Sequence, residues 1–162
     1  MAALPASIIF DSMIELLTEA YEGPPIPAST WFIDNEPDSG IFGLLSRVAA
    51  DQASRSVDGS GEEGTTIVAH AEHLRWSLAM MNAAIRGEPQ GKWKESWRMI
   101  DANEAEWGHL RGELREEFET LRQAFREQED LPAEYLTGVL ALLPHAAYHL
   151  GTIRQMIERT RR

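Results

Sequence analysis

Apolar residues recur every three or four positions in several segments of this chain, which is the spacing of one face of an α-helix. The pattern predicts helices over residues 4–21, 41–52, 66–86, 101–129 and 133–159. No segment alternates apolar and polar residues as a half-buried strand does, and no internal repeat is visible. We therefore predict an all-α protein, a four-helix bundle with a short extra helix and a connector.

Turn-forming residues separate the predicted helices. Thr65 or Thr66 caps the helix that ends near Arg86. The proline-rich segment 23–40 is predicted to be an ordered loop, because its Trp31-Phe32-Ile33 run favours burial. Residues 54–64 are predicted to be a flexible polar loop, and the connector 90–99 can hold a further helical turn.

The composition is that of one globular domain spanning residues 1–162. The absence of cysteine excludes disulfides, thiolate ligands and thiol nucleophiles from the chain, and it fits a cytoplasmic protein. A formal net charge of −11 argues against nucleic acid as a partner, because phosphate binding relies on clustered Lys and Arg. The acidic N-terminal segment does not resemble a signal peptide, and no apolar run reaches the ~18 residues of a membrane span. We expect no membrane partner.

Histidines in two of the predicted helices carry most of the chemical information. His145 and His149 are four positions apart in LLPHAAYHLGTIRQM, so both imidazoles lie on the apolar face of one helix. The segment TTIVAHAEHLRWSL can bring a third imidazole to the same place, from either His70 or His73. Three imidazoles around a divalent ion leave one position open, as catalytic metal sites do. Periodicity alone does not choose between His70 and His73.

Simpler explanations compete with a metal site. A histidine in an apolar core can be a hydrogen-bonded core residue, and an H-x-x-x-H spacing alone is weak evidence for a metal. Pro144 predicts either a kink in the last helix or a new helix that begins there. Gly151 predicts a close approach of helices, within the bundle or across a dimer.

Other polar and aromatic residues receive more modest predictions. His109 is predicted to be solvent-exposed and not a ligand, and Glu72 is predicted to point to solvent. Thr152 lies on the histidine face, where it can hold a water or contact a ligand. Four tryptophans are predicted to be packing residues, of which one can line the mouth of the site: Trp76, Trp93, Trp97 and Trp107.

Over nearly its whole length the chain resembles the DinB/YfiT-like superfamily. The resemblance is carried by the threonine-capped TTIVAHAEHLRWSL, the connector GKWKESW and the final HAAYHLGTIRQM. It implies an up-down-down-up four-helix bundle with a divalent ion held by His73, His145 and His149, since the family's first ligand precedes an aliphatic residue. It also implies a homodimer. Members of the family include thiol-dependent S-transferases and isomerases, proteins induced by DNA damage, and many proteins without a known substrate.

The leading hypothesis is a metal-dependent enzyme in which zinc or nickel activates water or a low-molecular-weight thiol cosubstrate. It covers hydrolases and thiol S-transferases that act on a small molecule, and it assigns no catalytic base. The alternative is a stress-response protein that binds a metal or a small ligand without turnover. A third hypothesis is a structural dimer whose histidines are core polar residues.

Overall fold

The computed structural model describes residues 5–25, 29–127 and 133–161, and within these residues it contains helices and no strand. The helices are α1 (Ala6–Glu22), α2 (Ile41–Ser46), α3 (Ala50–Ala53), α4 (Ile67–Ile85), α5 (Glu104–Glu127) and α6 (Ala133–Thr160). A 3-10 turn, Trp93–Trp97, lies between α4 and α5. The prediction of an all-α protein is confirmed.

Four long helices, α1, α4, α5 and α6, surround one core. Both α1 and α4 contact α5 and α6, so each long helix packs against two others. The pattern is clearest on α5, whose apolar stripe is buried while the remaining face is charged. Its buried residues are Trp107, Leu110, Leu114, Phe118, Leu121 and Phe125.

Hydrogen bonds at the helix ends explain where several helices begin. Thr66 caps α4, because its Oγ1 accepts from the backbone N–H of Ala69 at 3.1 Å. Asn103, and not Asp101, caps α5: its Oδ1 accepts from two backbone N–H groups, while Glu106 accepts from the N–H of Asn103. The predicted end of this helix at Glu129 and the predicted opening of the last helix at Leu131-Pro132 lie outside the described residues.

The single helix predicted over 41–52 is divided into α2 and α3. The segment between them turns the carbonyl of Val48 toward the core, where it accepts from Trp107 Nε1 at 2.8 Å. Glu104 accepts from the N–H of Ala50 at 3.0 Å and so binds the first turn of α3. The break between α2 and α3 therefore depends on two side chains of α5. The spacing of apolar residues within 41–52 does not record these contacts.

Helix α6 runs without interruption through Pro144, so the alternative of a new helix beginning there is wrong. By length and composition alone, Tyr135–Thr160 is apolar enough to cross a membrane, a test that core helices of soluble proteins also pass. Here Val139, Ala146 and Ile153 are buried in the shared core. A Cβ on Gly151 would meet nothing within 4 Å, so no close approach of a described helix requires this glycine.

The described part of the proline-rich loop is attached to α1 by a buried carboxylate. Glu19, 2% exposed, accepts from the backbone N–H groups of Trp31, Phe32 and Ile33 at 2.8–3.1 Å. The side chains of Trp31 and Phe32 are 71% and 41% exposed, so the prediction that they are buried is wrong. Backbone hydrogen bonds hold this loop, so its aromatic side chains need not enter the core.

Candidate metal centre

Helices α4 and α6 bring three histidines together. His73 comes from α4, and His145 and His149 come from successive turns of α6. One ring nitrogen from each of the three lies within 4.8 Å of the others, so the group could hold a metal ion. His73 and His149 are buried and His145 is half-buried. Helix packing thus brings His73 to the pair whose common face the spacing predicted, a choice that the spacing left open between His70 and His73.

His70 lies behind this group as a hydrogen-bond partner of one member. Its Nε2 is 3.0 Å from the carbonyl oxygen of Gly64, and its Nδ1 is 2.7 Å from Nδ1 of His149. A carbonyl only accepts, so Nε2 of His70 carries the proton and Nδ1 of neutral His70 accepts from His149. The proton of His149 is therefore on Nδ1, and its Nε2 keeps a free lone pair.

Hydroxyl groups determine the protonation of the other two imidazoles. Ser96 donates to the carbonyl of Trp93, so its Oγ accepts from Nδ1–H of His73 at 2.7 Å. Ser77 donates to the carbonyl of Leu74, and its Oγ lies 3.5 Å from Nδ1 of His145. In both cases the proton belongs on Nδ1, which leaves Nε2 as the potential ligand atom.

The Nε2 atom of His145 shows that hydrogen bonds alone do not account for this histidine group. This atom is buried and has no hydrogen-bond partner among the described residues. A buried polar atom without a partner costs free energy, and a metal ion would satisfy it. Three Nε2 lone pairs form a donor set that fits a divalent ion; two are backed by a 2.7 Å hydrogen bond at Nδ1 and the third by a 3.5 Å approach.

Burial lowers the pKa of His70 and His145. Burial also lowers the pKa of His73 to about 4, with a further contribution from the nearby His145 and His70. The pKa of His149 falls to about 2, chiefly through burial and then through its three histidine neighbours. All four imidazoles are therefore neutral at pH 7, which is the form that binds metal ions.

Tryptophans from the connector enclose the histidines on one side. Trp97 stacks on His73 with ring centroids 4.0 Å apart, and it meets His70 edge-on at 5.4 Å. Trp93 lies 5.6 Å from the ring of His73 and is 60% exposed. Trp107, in contrast, is fully buried. Trp107 is therefore a packing residue of the core, whereas Trp93 and Trp97 line the histidine group.

The other polar residues singled out in the sequence contact residues outside the histidine group. The side chain of His109 is 76% exposed and lies 3.5 Å from Glu113, as predicted for a solvated histidine. The side chain of Glu72 is only 14% exposed, so the prediction that it points to solvent is wrong; Arg75 donates two hydrogen bonds of 2.7 Å to its carboxylate. The hydroxyl of Thr152 donates to the carbonyl of Tyr148 within α6.

Sequence reasoning missed the partners that orient the imidazoles. Ser96 is fully buried, and its role was not predicted because the connector pattern was interpreted from its tryptophans alone. Gly64 was assigned to a flexible loop, yet its carbonyl fixes His70. A small polar residue between two tryptophans, as in WKESW, is a signal that could have marked Ser96.

Comparison with known proteins gave no match to a family model, a curated protein or a solved structure. The description of this site therefore depends on its own geometry.

Proposed function

We propose that this protein is a divalent-metal-dependent enzyme acting on a small molecule, with His73, His145 and His149 as the metal ligands. The observation that carries the proposal is the buried, unpartnered Nε2 of His145 beside two further imidazoles. Most buried polar side-chain atoms have a hydrogen-bond partner, and a metal ion would supply one to this nitrogen.

The three imidazoles would be neutral ligands, so they would leave the charge of a bound ion uncompensated. When bound, zinc or nickel would supply a Lewis acid that lowers the pKa of a water or a low-molecular-weight thiol. His70 and Ser96 orient the imidazoles of His149 and His73. Trp97 shields one face of His73 from solvent. Glu72 is engaged by Arg75, so it is not proposed as a catalytic base.

We further propose a DinB/YfiT-like up-down-down-up four-helix bundle that forms a cytoplasmic homodimer. Four long helices around one core support the bundle, and the absence of cysteine supports the location. An exposed stripe of uncharged residues on α6 supports self-association: Thr137, Ala141, Pro144, Tyr148, Gly151 and Gln155. Sedimentation velocity on the purified chain tests the dimer.

Metal content tests the ligand assignment. The wild-type protein, loaded with zinc and dialysed, should retain about one ion per chain by elemental analysis. His145→Ala and His149→Ala should each lose most of it, because two imidazoles are a poor site for a divalent ion. His109→Ala is the matched control, since this histidine is exposed, and it should retain the ion. Full zinc content in both α6 variants would refute the site.

Turnover distinguishes the enzyme from a binding protein. The zinc-loaded and nickel-loaded forms should be assayed with ester and amide substrates, and with low-molecular-weight thiols plus electrophiles. We expect an activity that chelation abolishes and added metal restores. Tight metal binding without any turnover would favour the non-enzymatic stress-response alternative.

A further inference from the structure

A cavity of about 330 Å³ lies between α4 and α6, next to the connector. His145 forms part of its wall, so the cavity adjoins the three-histidine group. Its volume is at the low end of the ~300–1,000 Å³ typical of small-molecule sites. A molecule of about the size of one substituted ring would fit it, with one end toward His145.

The described lining of this cavity contains no Asp, Glu, Lys or Arg. Met80 and Met81 supply flexible apolar surface, and Trp93 and Tyr135 supply aromatic rings. Among the polar groups, the hydroxyl proton of Ser77 is already donated to the carbonyl of Leu74. The described lining itself offers a charged body no ionic partner to offset the loss of its hydration.

Two aromatic side chains of this lining, Trp93 and Tyr135, are exposed although apolar side chains lie beside them in the cavity. Trp93 is 60% exposed and Tyr135 is 41% exposed. Trp93 packs at 4.9 Å against the buried Trp76 and at 6.4 Å from the ring of His145. A ring entering the cavity would therefore have an aromatic neighbour at its entrance and an imidazole at its inner end.

We propose that this cavity binds the body of the substrate, and that this body is uncharged and aromatic or aliphatic. The assignment rests on the proposed function, since only the neighbouring metal site would make the bound molecule a substrate. Thiols of the glutathione type carry carboxylates, which the described lining does not match. A thiol cosubstrate of that type would have to place its charged body outside the cavity.

Three probes that share one shape but differ in charge test whether the cavity prefers an uncharged ligand. Benzamide, benzoate and benzamidinium are titrated into the full chain after EDTA treatment, so that benzoate cannot bind through a metal. Binding is followed by the NMR signal of the Trp93 indole N–H, assigned with Trp93→Phe. We expect benzamide to bind at least ten-fold more tightly than either ion. Equal or tighter binding of an ion would overturn the proposed class.

Substitution of one glycine tests the location. A Cβ on Gly138 would lie 3.4 Å from Cε of Met81, so Gly138→Leu extends into the cavity and should weaken benzamide binding at least ten-fold. Gly108→Leu, in α5 and outside the described lining of the cavity, has open space around its Cβ and should bind benzamide like the wild type. Circular dichroism verifies that both variants are folded.

The two proposals fail in different ways. Unchanged benzamide affinity in Gly138→Leu, or no benzamide binding at millimolar concentration, overturns the cavity proposal. Zinc content of the same variant reports on the metal site separately, because Gly138 is not a ligand. A chain that binds benzamide but no zinc would keep the cavity and lose the proposed function.

Discussion

At the level of single residues, each imidazole of the candidate metal centre depends on the partner of its Nδ1 atom. His149 has the ring of His70, His73 has Ser96, and His145 has only a 3.5 Å approach to Ser77. The first two contacts, both 2.7 Å, are short enough for strong hydrogen bonds, whereas the third, at 3.5 Å, is at the upper distance limit for a hydrogen bond. The orientation of His145 is therefore the least fixed of the three, and a bound ion would order it most.

His70 gives a prediction about a positioning residue. His70→Phe removes the acceptor of the His149 Nδ1–H, so zinc affinity should fall about 10- to 100-fold although all three ligands remain. His70→Gln keeps an acceptor for that N–H and should recover part of the affinity. Competition with a chromophoric chelator measures both. Equal affinity of wild type and His70→Phe would show that His70 only fills space.

At the level of elements, side chains from distant helices decide where several segments begin and end. Spacing predicted α1, α4, α5 and α6 to within a few residues where their ends are described, because apolar stripes are a local property. It did not predict the division between α2 and α3, which depends on Trp107 and Glu104 of α5. Nor did it predict that Glu19 holds the backbone of residues 31–33.

The attachment of this loop to α1 is testable by two substitutions one helical turn apart. Glu19→Ala leaves three backbone N–H groups without their carboxylate, so it should lower the free energy of unfolding by about 3 kcal/mol. Glu15→Ala is the control. Glu15 is exposed and, among the described residues, accepts one hydrogen bond, from Trp31 Nε1, so its loss should cost less than about 1 kcal/mol. Urea denaturation compares the two, and equal losses would contradict the assignment.

At the level of the whole molecule, burying four histidines in one core links folding to protonation. Their native-state pKa values are depressed, while in the unfolded chain they return to about 6.5. Below pH 6.5 the unfolded state therefore binds more protons than the folded state, and stability falls as pH falls. The same burial favours metal binding at neutral pH, since protons no longer compete for the ligands.

This linkage predicts how the metal-free chain responds to acid. The contribution of the histidines to its free energy of unfolding should be complete above about pH 6.5. It should be lost as the pH falls, toward about pH 2 for His149 and between about pH 6.5 and pH 4 for His73. For His73 alone, a pKa of about 4 in the folded chain corresponds to a loss of about 3 kcal/mol across that window. Urea denaturation at a series of pH values measures the slope. His73→Leu should flatten it, and an unchanged slope in this variant would contradict the burial of His73.

The sequence alone determined the all-α class, the four long helices and the common face of His145 and His149, because each follows from spacing within one helix. It left the third histidine open, since His70 and His73 both lie on the inner side of their helix. Tertiary structure decided that question by the rotation of α4 against α6 and by the path of the connector. These bring His73 to the pair, set His70 behind His149, and place Ser96 and Trp97 against His73. Contacts between residues distant along the chain depend on packing of the whole core, which local periodicity does not record.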